Sequence, residues 1–151
     1  MTTPTANAIE LATPLIVKWE GFSAKPYYCS AGVLTIGFGS TFLADGTRVS
    51  ASTPAIGKEE ALGLLQFHLE AVYAKLQLRT TSERDAALLS FAYNLGLGAL
   101  RSSTLWRLHR TGNYEPAAQE FPKWKFAGGR PLRGLLLRRI DEQQLYTSQA
   151  A

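Results

Sequence analysis

Ten residues, Ala86 to Leu95, are apolar on nearly every side. A helix of that kind cannot rest on a surface; it has to be the centre of a helical lobe, with other helices packed around it. The neighbouring sequence supplies them. Leu62, Leu65, Leu69, Val72 and Leu76 recur at spacings of three and four, which predicts an amphipathic helix over 58–77. Ser82 with Asp85 matches a capping box at the start of the central helix. Shorter helices are expected near 103–110 and 114–121, interrupted by Pro122 and the Gly128-Gly129 pair, before a last helix at about 133–147. At the other end, Thr13-Pro14 reads as an N-cap followed by proline at the first helical position, and Gly21 is placed to end that helix.

Between Lys25 and Val49 the texture changes. Aromatic and β-branched residues alternate with Gly32, Gly37 and Gly39, and Asp45-Gly46 is a turn signal, so this stretch is expected to be a small antiparallel sheet. The class is therefore α+β: a small sheet lobe near the N-terminus, a larger helical lobe, and a cleft between them where a ligand would bind. With 151 residues the chain is expected to be one domain, 1–151, able to bury about 70% of its unfolded surface. No apolar run approaches the ~20 residues that span a bilayer. Residues 1–7 have neither the basic region nor the apolar core of a signal peptide. A single cysteine rules out an internal disulfide framework and a cysteine-rich zinc site.

Charge is uneven. Residues 1–78 hold five basic and six acidic side chains, a balance of −1, whereas 79–151 hold eleven and six, a balance of +5. A basic half suits a polyanion (nucleic acid, a membrane surface or an acidic wall polymer), and it also suits a merely solvated surface.

Three residues carry the candidate chemistry. Glu20 falls in the last turn of the first helix, near carbonyls with partial negative charge and flanked by Trp19 and Phe22; both surroundings favour a protonated acid, which is what general-acid catalysis needs. Nine residues on is Cys29, and six further is Thr35, whose hydroxyl can both donate to and accept from a water. Facing a carboxyl in a partly closed cleft, the Cys29 thiol is expected to be shifted upward and to stay neutral. His68 and His109 are isolated and are expected on helix surfaces, without a catalytic role.

The stretch Lys18-Trp19-Glu20-Gly21-Phe22 with Tyr27-Tyr28-Cys29 and Leu34-Thr35-Ile36-Gly37-Phe38-Gly39 resembles the catalytic signature of the phage-type lysozymes, glycoside hydrolase family 24. Downstream, Ser90-Phe91-Ala92-Tyr93-Asn94-Leu95-Gly96, Ser103-Thr104-Leu105, Phe121-Pro122-Lys123-Trp124 and Arg138-Arg139-Ile140-Asp141-Glu142 are similar to later segments of the same family, in order, so the resemblance covers about 13–147. It implies a lysozyme-like fold and a muramidase: Glu20 as general acid, and the middle residue with Thr35 holding the water that attacks the bond between N-acetylmuramic acid and N-acetylglucosamine with inversion. It further implies Phe38, Tyr93 and Asn94 in the substrate groove, bacterial peptidoglycan as partner, and neither metal nor cofactor nor nucleic acid. It leaves Arg133, Arg138 and Arg139 as equal candidates to pair with Glu20 or the substrate. The expected life of such a protein is as a monomer in the host cytoplasm, released by a holin to the periplasm and wall. The departure is Cys29, where the family usually has aspartate. The thiol could position water, act as a nucleophile, or be inert in a domain that binds glycan without cutting it; a lytic transglycosylase working through Glu20 alone is the alternative enzyme.

Overall fold

The computed structural model describes residues 3–148. Its elements are α1 (Pro4–Glu20), β1 (Ser23–Tyr28), β2 (Leu34–Gly37), α2 (Lys58–Leu76), α3 (Ser82–Leu95), α4 (Leu97–Arg101), α5 (Thr104–Arg110), α6 (Tyr114–Ala118), a 3-10 turn (Phe121–Lys123), a short hairpin of β3 (Phe126–Ala127) and β4 (Arg130–Pro131), and α7 (Arg133–Thr147). The helix α3 is the hub. Every residue from Asp85 to Ala92 is buried, and α1 and α7 both pack against it. Ala8, Ile9, Ala12 and Ile16 from α1, Leu65 and Leu69 from α2, and Phe121 and Tyr146 complete one continuous core around it.

The first helix begins ten residues before the expected N-cap. Thr3, not Thr13, caps it: Thr3 Oγ1 accepts from the Ala6 N–H at 3.1 Å, and Pro4 takes the first helical position. Pro14 then lies inside the helix, where it removes one backbone donor. The first turns survive that loss because they bury Ala8, Ile9 and Ala12 in the core. The cap of α3 is likewise displaced by one residue. Thr81 Oγ1 accepts from the Arg84 N–H, while Asp85 turns inward and accepts from the Thr80 hydroxyl at 2.7 Å.

The sheet is smaller than its sequence texture. β1 and β2 form one antiparallel pair with Tyr27 opposite Thr35. The chain continues through a tight loop in which Ile36 and Ser40 exchange two backbone hydrogen bonds, and through the turn at Asp45-Gly46. Among the described residues no helix is long and apolar enough to cross a membrane.

His109 is not on a surface. It is 5% exposed, stacked on Trp106 and hydrogen-bonded through Nδ1 to the Tyr146 hydroxyl at 2.8 Å. Burial, with Arg84 nearby, pushes its imidazole down to about 4 from 6.5. The folded chain therefore keeps it neutral while the unfolded chain binds a proton, and stability drains away as pH falls from 6.5 to about 4. Buried Asp85 and Glu142 are shifted up and act in the opposite sense, so the informative measurement is a difference. The melting temperature of the protein minus that of His109→Gln is expected to be flat above pH 6.5 and to drop below it. A difference that stays flat throughout would exclude this titration.

Candidate active site

The C-terminal end of α1 and the start of β1 are separated only by Gly21 and Phe22. Gly21, at φ 69°, closes the helix by donating to the Val17 carbonyl and turns the chain directly into the sheet. Glu20 is thereby set where the two lobes join.

Its carboxyl is held from two sides. Arg138 Nη1, from α7, donates to Oε2 at 2.8 Å. The α-carbon of Gly39 closes in near Oε1: a β-carbon built at position 39 would lie 2.7 Å from that oxygen and 2.9 Å from Cδ. Gly39 also has φ +86°, a conformation that side-chain-bearing residues rarely adopt. Gly39→Ala is therefore expected to push the carboxyl out of place. Misplacement by about 1 Å costs on the order of 10² in rate, so turnover on peptidoglycan should fall by about that factor, with a melting temperature only modestly lowered. Unchanged turnover would show that the position of Glu20 is not set by this contact.

Arg138 resolves the choice among the three arginines. Its side chain is 5% exposed and leads into a buried network. Glu142, fully buried, accepts from Ser90 Oγ at 2.6 Å and from Arg139 Nη2 at 3.0 Å; Arg139 Nη2 also donates to Asn94 Oδ1 at 2.7 Å. The Arg138 Nε lies 3.7 Å from Glu142, too far for a hydrogen bond, and its Nε and Nη2 have no partner among the described residues. Burial pushes Glu142 up and Arg139 down, and each pulls the other back toward its charged form. Trp19 does not join this site's wall as a purely apolar shield; its indole N–H donates to Asp141 at 2.8 Å.

Cys29 opens the turn between β1 and β2, and here the structure corrects the sequence. The thiol is held below its ordinary value by the backbone of the turn, first by the Val33 N–H and then by that of Ala31. Desolvation opposes this only weakly because the turn is open to water. A closed cleft would raise the thiol, but the amides that outweigh burial here are aimed at it only once the turn has folded. Thr35 is 3% exposed, and its hydroxyl donates to the Val33 carbonyl at 2.9 Å, which leaves the oxygen lone pairs as acceptors.

Tyr27 pairs across the sheet with Thr35, and its phenol is pushed up first by burial and then by the charges of Glu20 and Cys29. Tyr27 is not among the residues expected at the site. The available signal was strand alternation, which puts Tyr27 and Cys29, two residues apart, on one face.

The other three candidates divide. Phe38, an aromatic residue that suits either the groove wall or the core, is 6% exposed and packs its ring on Phe22, with centroids 5.5 Å apart, so it belongs to the core. Its carbonyl accepts from the Tyr93 hydroxyl at 2.7 Å, which ties α3 to the loop carrying Gly39. Burial raises the Tyr93 phenol, so it remains a donor. Asn94 is half-buried; its oxygen is taken by Arg139, and its NH₂ has no partner among the described residues. The described residues contain no cluster of three His, Cys, Asp or Glu side chains able to hold a metal.

A small antiparallel sheet, a helical lobe built on one buried helix and a carboxylate at their junction define a lysozyme-like fold. The family model for phage lysozyme matches residues 17–142, and the chain belongs to that family. It is 37% identical over 146 residues to the endolysin of Bacillus phage B103, covering 93% of this chain and 54% of that protein. The chain thus spans about half the length of the first such curated relatives. Among solved structures it resembles an endolysin from Escherichia coli O157:H7 phage FAHEc1 (TM-score 0.78, 30% identity, 90% of each chain). It also resembles a mutant lysozyme of phage P22 (TM-score 0.76, 32% identity, 91% of this chain and 96% of that one).

Proposed function

We propose that this chain is a peptidoglycan-degrading muramidase that serves phage-mediated host lysis, hydrolysing the β-1,4 bond between N-acetylmuramic acid and N-acetylglucosamine with inversion. The observation that carries this reading is the fixed carboxyl of Glu20, held by Arg138 and closed in by Gly39 where the two lobes join. The endolysin and lysozyme relatives support the substrate class.

In this mechanism Glu20 gives its proton to the leaving glycosidic oxygen. The attacking water is held on the opposite face, with one hydrogen directed to the Thr35 oxygen and the other to Cys29 Sγ. Thr35 suits the task because its own proton is committed to the Val33 carbonyl. Cys29 suits it because the turn amides favour the thiolate, which accepts a proton where a neutral thiol would not. Arg138 is a positioning residue that fixes the Glu20 rotamer. Tyr93 and Asn94 border the groove, Asn94 with an amide donor for an N-acetyl carbonyl. Phe38 contributes through its carbonyl and the backbone it fixes. The protein acts as a monomer, accumulates in the host cytoplasm and reaches the wall through a holin.

Mass spectrometry of digested peptidoglycan tests the reaction. Reducing muramic acid ends are the expected product; 1,6-anhydro ends would assign a transglycosylase, and no cleavage a wall-binding module. Cys29 is tested separately. Cys29→Ala is expected to retain activity within about 10²-fold of the parent, the usual size of a lost proton-transfer partner, and Cys29→Asp to restore it. The thiol should react with iodoacetamide faster than free cysteine at pH 7. Complete inactivity of Cys29→Ser, Cys29→Ala and Cys29→Asp alike, with a glycosyl adduct on the native thiol, would instead establish a nucleophile.

A further inference from the structure

Part of the basic character of the second half lines hollows that do not include Glu20. The end of α2, the loop that follows it, α4 and α5 enclose a concavity of about 520 Å³, whose charged lining is Lys75, Arg79, Arg101 and Arg110. A second hollow of about 330 Å³ shares Arg101, Trp106 and Arg110 with it and adds Arg107. The two hollows meet at those shared side chains, and the groove they make up is lined by five cations and no carboxylate. Among the described residues, none of the five is in an ion pair; the ion pairs present involve Lys18, Lys123, Arg138 and Arg139. Like charges gathered without counter-charges repel one another, and an anionic ligand relieves that repulsion.

The floor is built rather than accidental. Trp106 stacks on His109 with the rings 17° from parallel, and the Arg110 guanidinium lies 6.0 Å from the Trp106 ring. Arg101 is anchored by a 2.8 Å hydrogen bond to the Lys75 carbonyl, which also answers the exposed carbonyl end of α2. His109 is buried and lines the first hollow; its Nδ1 is engaged by Tyr146, and Nε2 has no hydrogen bond among the described residues. When the Tyr146 hydroxyl donates to Nδ1, Nε2 bears the hydrogen and offers the groove a neutral donor beside the guanidinium forks.

We propose that this groove is a second, non-catalytic binding site for the phosphate groups of an envelope glycopolymer. Three or more arginines favour phosphate, which their planar forks grip in pairs. Two hollows joined through Arg101 and Arg110 favour a repeating chain over a single ion. The choice of an envelope polymer, though not the phosphate chemistry, rests on the proposed function.

Calorimetric titration of the full chain with poly(glycerol phosphate) tests this, with pyrophosphate as competitor. Binding is expected to weaken at least tenfold in Arg79→Gln/Arg110→Gln. It should stay within twofold in Arg48→Gln/Arg130→Gln, which removes the same charge elsewhere; melting curves verify that both variants fold. No binding by the parent protein, or equal weakening in both variants, would overturn the site. Tighter binding to phosphatidylglycerol vesicles or to a single-stranded oligonucleotide would overturn the polymer assignment. Cleavage of a short soluble muropeptide should be unchanged in Arg79→Gln/Arg110→Gln, and the polymer should still bind Glu20→Gln. Failure of the groove and failure of the muramidase reading are thus told apart.

Discussion

Glu20→Gln is expected to lower the turnover of peptidoglycan by at least ~10², the usual size of a lost general acid. The substitution is nearly isosteric. It keeps an oxygen that accepts from Arg138 and keeps the fit against Gly39, so what it removes is the transferable proton and the negative charge. Because Arg138 is buried, the variant also loses a charge-assisted hydrogen bond worth about 1.5–3 kcal/mol at most. Assays should therefore be run well below the melting temperature of the variant, so that inactivity is not mistaken for unfolding. Activity within a few-fold of the parent, in a folded variant, would remove Glu20 from the mechanism.

The largest effect on stability is expected behind the site. Arg139 and Glu142 are both fully buried, and each depends on the other for compensation. Arg139→Met leaves the Glu142 carboxyl with Ser90 and a distant Arg138, an uncompensated buried charge costing about 3–5 kcal/mol. For a chain of this size that corresponds to a melting temperature lowered by about 10 °C. The double variant Arg139→Met/Glu142→Leu fills similar volume without charge and is expected to recover much of the loss. Recovery should be incomplete, because Arg138, Ser90 and Asn94 all lean on this pair. Single and double variants that are equally unstable would mean that packing volume, not charge compensation, is what the pair supplies.

Much of the molecule can be read from the chain. The bounds of α2 and the burial of α3 follow from apolar patterning, because burying those faces is the dominant favourable term, whereas α7 is set off by the Gly128-Gly129 break and buries Arg138, Arg139, Glu142 and Tyr146. Glu20, Cys29 and Thr35 stand out because their order and spacing resemble the signature of the phage-type lysozymes. The misplacements have local causes. Thr3-Pro4 and Thr13-Pro14 are the same capping signal, and only the burial of Ala8, Ile9 and Ala12 decides between them. His109 looks like any helix-surface histidine until Trp106, Tyr114 and Tyr146 close around it. Phe38 matches an aromatic sugar platform in type, yet Phe22 covers its ring.

The α+β class, the order of the longer elements and the family follow from the chain alone, because periodicity, turn residues and motif spacing are local along it, whereas α4 and the strands β3 and β4 carry no such signal. Tertiary structure decided which arginine meets Glu20, why position 39 has no room for a side chain, and which way the Cys29 thiol is shifted. Each of these depends on groups brought together from distant segments or on the backbone amides of a folded turn. Electrostatic and steric effects act through distance in space, and spacing along the chain does not encode that distance.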